Sequence, residues 1–138
     1  THLIPRILQT ALGRYESFSI FGTEHPTPDG TCIRDYIHVS DLAEAHQLAL
    51  RPGITGDYNL GRGHGDSVLE VLQACREITG RPIPSENHPA RAGDPPSLIA
   101  AVDKAREHLQ WEAHHPSIRD IITSAWQWHQ AHPNGYPK

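Results

Sequence analysis

The run GTCIRDYIHVSDLAEA (Gly30–Ala45) changes its hydrophobic period partway along. Its first half alternates side chains as a strand does, and from Leu42 the apolar residues recur at helical spacing through Ala45, Leu48 and Ala49. A strand that feeds directly into a helix points to an α/β chain. The alternation puts Arg34, Tyr36 and His38 on one face, with Asp35 and Ile37 on the other. Three polar-capable side chains on one face make either a cleft wall or a solvent face.

The flanking sequence supports the same class. Leu3, Ile7, Leu8, Ala11 and Leu12 have helical spacing, and Gly13 offers a stop. SFSIF (Ser17–Phe21) reads as a strand followed by a polar turn, and CIRDYIHV (Cys32–Val39) as the next strand. Ser40 or Asp41 is expected to cap the second helix, Asp41 with Glu44 having capping-box spacing. YNLG (Tyr58–Gly61) reads as a short strand, and Ser67 with Glu70 as a second capping box opening a helix that ends at Gly80. Arg81–Pro96 reads as a long proline-rich loop, SLIAAV as a strand, DKAREHLQW as a short helix and SIRDIITSAWQWHQAH as a final amphipathic helix. The 138 residues fit one unit, residues 1–138, with α/β elements in mixed order.

Several functional classes are excluded. No apolar run approaches the roughly 20 residues of a membrane span. The opening THLIPRILQT has charge and proline where a signal peptide is apolar, so none is expected. A net charge of −4 with scattered basic residues argues against nucleic acid. Cys32 and Cys75, without CxxC spacing, read as reduced thiols and suggest the cytoplasm. The chain has no methionine, which raises the expectation of a piece of something longer.

Chemistry-bearing motifs are few. GRGHG (Gly61–Gly65) has GxGxG spacing where a dinucleotide fingerprint needs GxGxxG, so a tight turn is the better account. Eleven histidines form no HExxH, and no metal site is expected. No GxSxG and no YxxxK occurs, so the chain holds no complete catalytic set. The arginines are more informative. Arg34 lies mid-strand, and Arg91 lies on a loop with Asp94 three residues on. Arginine makes bidentate bonds to phosphate and aspartate accepts from sugar hydroxyls. By chemistry alone a solvated or ion-paired role is the more ordinary one for each.

RDYIHVSDLAEAH, together with IFGTEHPTPDGT, YNLGRGHGDSVLEV, RAGDPP and HPNGY in that order, resembles the UDP-glucose 4-epimerase family of extended short-chain dehydrogenase/reductases. The resemblance runs from Leu3 to the C-terminus. It implies an α/β fold that is only the C-terminal, substrate-binding part of such a protein. The Rossmann half, with its NAD fingerprint, catalytic serine or threonine and YxxxK, is missing. Residues 36–61 are then expected to pack on the missing half, leaving Leu42, Leu48 and Leu60 as an orphaned apolar patch.

By resemblance, the backbone near Ser19 and the ring of Phe21 hold uracil, Arg34 and Arg91 neutralise a diphosphate, and Asp94 holds the ribose. Tyr36 and Val68 line the nucleotide site, Leu98 bounds the sugar pocket, and His38 is structural. His2 stands where many members carry a ligand-touching asparagine. The implied reaction of the intact protein interconverts UDP-glucose and UDP-galactose through an NAD-dependent 4-keto sugar. Epimerisation of another UDP-sugar (pentose, uronate or N-acetylhexosamine) and a non-catalytic remnant are the alternatives. The implied partner is a UDP-sugar, with NAD bound outside this chain; the family's homodimers are not implied for this piece.

Overall fold

The computed structural model describes residues 2–136. Helix α1 (Leu3–Ala11) buries Ile4, Ile7, Leu8 and Ala11, as its apolar spacing requires, and tolerates Pro5 because it lies in the first turn. Strand β1 (Phe18–Phe21) follows and turns Phe18 and Ile20 inward. Helix α3 (Val68–Thr79) opens on the expected capping box of Ser67 and Glu70 and closes on Gly80 at φ 63°. Helix α4 (Ile118–Ala131) is capped by Ser117, whose side chain accepts from the Arg119 N–H. Helices α1, α3 and α4 share one core with β1 and Ile83, in which Ile7, Leu8, Val71, Leu72 and Ile122 are fully buried.

Two small sheets position everything else. In one, β1 pairs in parallel with β4 (Ser85–His88), Phe18 opposite Ser85 and Phe21 opposite His88. In the other, β2 (Ile33–Arg34) lies between β3 (Asp66–Ser67), antiparallel to it, and β5 (Ser97–Leu98), parallel to it. Helix α2 (Val39–Ala49) belongs to a second, smaller core with a π-helical turn at Ala105–Leu109 and the buried Trp111. The indole N–H of Trp111 donates to the Asp41 carbonyl at 3.0 Å.

Several sequence expectations are corrected. The strand expected over Cys32–Val39 keeps only two paired residues, and α2 is capped by His38. The His38 ring accepts from the Ser40 N–H at 3.1 Å, while the Asp41 carboxylate reaches across the fold to His115. Tyr58–Gly61 is not a strand, because no described segment pairs with it. Leu60 and Leu48 instead pack against the second core, so two of the three leucines expected to be orphaned have partners within the chain. The strand expected at SLIAAV shrinks to Ser97–Leu98. Conversely, the proline-rich loop contains β4. Its prolines flank the ladder, Pro82 and Pro84 before it and Pro89 after it, where a missing N–H costs nothing, and the Pro84 carbonyl accepts from the Phe18 N–H at 2.8 Å.

Candidate functional site

One cavity of about 610 Å³ lies where α1, β1, β2, the start of α3 and the Arg91–Asp94 turn converge. The β2 side begins with Arg34. The antiparallel and parallel partners of β2 fix its backbone, and its guanidinium forms an ion pair with Asp94. A second donor, Nη1, meets the Ile33 carbonyl at 2.7 Å. The other Asp94 oxygen accepts from the Cys32 thiol at 3.7 Å. Burial and the nearby Asp94 charge push that thiol's pKa up, so it stays protonated. Tyr36 lies two residues beyond Arg34 on the same face and packs on the main core. Burial raises its phenol well above the usual tyrosine range despite the Arg34 charge, leaving a neutral hydroxyl.

Arg91 approaches from the proline-rich segment. Its turn closes through the Asp94 N–H donating to the Arg91 carbonyl at 3.2 Å, with Gly93 at φ 79°. The guanidinium lies 3.9 Å from the centre of the Phe21 ring, and that ring tilts against His88. Three arginines, Arg6, Arg34 and Arg91, therefore face the cavity against the single carboxylate of Asp94. Among the described residues Arg34 is paired with Asp94, whereas Arg6 and Arg91 have no carboxylate partner. Such a concave, cationic surface accommodates an anion with an attached organic group.

Of the eight residues singled out in the sequence, Ser19, Phe21, Arg34, Tyr36, Val68, Arg91 and Asp94 all line this cavity. Leu98 does not. It is 60% exposed on β5, beside the backbone of Arg34. The cavity also takes in residues that sequence reasoning left out, namely Leu3, Arg6, Phe18 and Cys32. Leu3 and Arg6 share a helix face, and that spacing was the available signal. His2, noted only as a departure from the family pattern, lines the wall as well.

The glycine turn Gly61–Gly65 has a different role. It wraps the Asp35 carboxylate, which accepts from the N–H groups of Arg62 at 2.8 Å and Gly63 at 3.0 Å. A Cβ at Gly61 would collide with that carboxylate and with Ala100. These amides are engaged, so the turn does not fit a dinucleotide pyrophosphate. Among the described residues no cluster of three or more His, Cys, Asp or Glu is placed to hold a metal ion. No described helix is long and apolar enough to cross a membrane.

A family model for the NAD dependent epimerase/dehydratase family matches residues 1–61. A UDP-glucose 4-epimerase from Halalkalibacterium halodurans is 53% identical over 99% of this chain and 42% of its own length. One from Streptomyces lividans is 50% identical, again over 99% of this chain and 42% of that protein. Among solved structures, a UDP-glucose 4-epimerase superposes with a TM-score of 0.96 at 52% identity, over 100% of this chain and 43% of the other. The Bifidobacterium longum UDP-glucose 4-epimerase in complex with NAD+ and UDP gives a TM-score of 0.90 at 40% identity, over 98% of this chain and 41% of that one. The chain thus spans about two fifths of the length of the relatives it matches.

Proposed function

The chain belongs with the UDP-glucose 4-epimerases, whose C-terminal part it matches in sequence and fold, and on that premise we propose that its cavity holds the UDP moiety of a UDP-sugar. The observation that carries this reading is the gathering of three arginines against one aspartate. Arg34 and Arg91 supply charge-assisted donors to the diphosphate, and Asp94 accepts from the ribose hydroxyls. Ser19 and Phe21 meet the base, while Tyr36 and Val68 wall the nucleotide. Leu98, outside the cavity lining, has no role in this reading.

For the whole protein the proposed activity is the interconversion of UDP-glucose and UDP-galactose. NAD, when bound, supplies hydride removal and return at the sugar. The glycine-rich turn Gly61–Gly65 is not assigned to that cofactor, since its Arg62 and Gly63 amides are taken by Asp35. The contribution assigned here is therefore anchoring, not chemistry. A second, apolar cavity of about 890 Å³ between the starts of α1 and α2 and the face of α4 supports packing against the part of the family fold that this chain does not span. Both cysteines are free and buried, in keeping with the reducing cytoplasm.

Calorimetry tests the reading. The chain binds UDP, Arg91→Ala weakens that binding about tenfold or more, and UDP-galactose with added NAD is not turned over. Absence of UDP binding, or unchanged affinity in both Arg34→Ala and Arg91→Ala, overturns it.

A further inference from the structure

Asp94 carries the ribose contact in the proposed reading, so whatever fixes its carboxylate decides how well that contact is made. Arg34 supplies only half of the restraint. A single guanidinium nitrogen, Nη2, pairs with Asp94 Oδ1, because Nη1 is turned to the Ile33 carbonyl at 2.7 Å. The two-pronged geometry that would lock a carboxylate in plane is therefore absent. The terminal torsion of an aspartate is soft, and a bond to one oxygen leaves it free to turn. The second oxygen, Oδ2, accepts from the Cys32 thiol at 3.7 Å.

The thiol is itself held in place. Cys32 is 3% exposed and lines the cavity. Its carbonyl accepts from the Val68 N–H at the start of α3 at 3.1 Å. The next residue, Ile33, donates its N–H to the Pro96 carbonyl at 2.8 Å, two positions beyond Asp94. The strand that carries the thiol and the segment that carries the carboxylate are thus tied together beside their contact. Burial and the Asp94 charge keep the thiol protonated, so it serves as a donor and not as a competing anion. The Asp94 side chain stays 31% exposed, which leaves its other lone pairs open to a ligand. We infer that Cys32 is a positioning residue: donating to one Asp94 oxygen while Arg34 holds the other, it sets the carboxylate plane and with it the preference for a nucleoside diphosphate bearing ribose hydroxyls. This rests on the UDP reading of the same cavity and adds to it a residue that acts through Asp94. A thiol is a weak donor, so the effect is several-fold and not larger.

Titration calorimetry with UDP and its 2′,3′-dideoxy analogue isolates the hydroxyl contacts, since base and diphosphate are common to both. The wild-type chain is compared with Cys32→Val, in which valine fills the site without a donor, with Asp94→Asn, and with the double variant. The wild type should favour UDP by about tenfold or more. Cys32→Val should cut that ratio about threefold to fivefold by weakening UDP alone. Added to Asp94→Asn, it should change the ratio no further. A merely structural cysteine would weaken both nucleotides equally. A wild-type ratio in Cys32→Val, with or without such a common loss, overturns the inference, and so does an additive loss in the double variant. Should Cys32→Val lose its cooperative melt, Cys32→Ala is read by the same criterion. A ratio lowered by Asp94→Asn but not by the cysteine variants strikes only the role of Cys32. An unchanged ratio in Asp94→Asn removes the ribose contact and this inference with it, and wild-type binding of neither nucleotide removes the UDP reading itself.

Discussion

Asp35 lies between Arg34 and Tyr36 in the chain and faces away from the cavity they line. Its carboxylate accepts from the backbone N–H groups of Arg62, Gly63 and, at 3.3 Å, Ala100. Arg62, whose side chain is 1% exposed, lies against it, pairs with Asp66 and donates to the Pro116 carbonyl at 2.9 Å. One residue thus ties the glycine turn and the segment after β5 to the strand that presents Arg34. Removing one partner of a buried charge network costs about 3 kcal/mol. Urea unfolding of Asp35→Ala should show that loss, and UDP affinity should fall although Asp35 touches no ligand. Wild-type stability in this variant would show that the wrapped carboxylate contributes nothing.

At the scale of elements, α2 begins on a histidine. The Nδ1 atom of His38 accepts the Ser40 N–H, and Nε2 meets the Ser124 hydroxyl at 2.8 Å. The ring stacks 4.0 Å from His115, which is bonded to Asp41. Burial, and then the charge of His115, hold the His38 pKa below its usual 6.5, with Asp41 and Asp120 opposing. A histidine whose folded pKa is depressed stabilises the fold above its unfolded pKa and loses that contribution as pH falls through and below 6.5. Thermal melts should therefore drop in Tm over that window. His38→Asn, which keeps a capping side chain without titrating, should flatten the slope. His129, also depressed by burial, leaves a residue of the effect. Equal slopes in wild type and variant would exonerate His38. Serine, asparagine and aspartate are the ordinary caps, which is why the sequence pointed to Ser40 or Asp41; the ring at position 38 became the acceptor only once α4 and the His115 loop were packed around it.

For the whole molecule, the apolar surface expected over α2 and Tyr58–Gly61 is divided in two. Leu48 and Leu60 are covered by the second core, whereas Leu42 lines the apolar cavity with Leu3, Ile37, Ala125 and Trp128. Val39, at its rim, is 74% exposed. Exposed apolar surface of this kind promotes association. Sedimentation of the isolated chain at rising concentration should show self-association, which Val39→Lys combined with Leu42→Lys should reduce without changing the melt. A wild-type chain that stays monomeric throughout would mean that the cavity needs no cover.

The sequence by itself determined most of the helices, the α/β class and the polar face of the cavity wall that Arg34 and Tyr36 form. Apolar periodicity and capping boxes are local, and Arg34 and Tyr36 share a face through strand alternation alone. Arg91 and Asp94 stood out by their chemistry, but only the family pattern raised them above a solvated or ion-paired role, and Ser19, Phe21 and Val68 were legible through that pattern alone, because nothing local distinguishes a residue that meets a ligand from one that meets water. Tertiary structure decided the rest. Whether Ser85–His88 or Tyr58–Gly61 became a strand depended on which had a partner to satisfy its backbone, and β1 supplied one only to the former. Arg6 entered the cavity because α1 packs beside β1, and Leu98 stayed outside because its strand pairs along the backbone of Arg34. Pairing and docking between distant segments are long-range events, and no spacing within one segment encodes them.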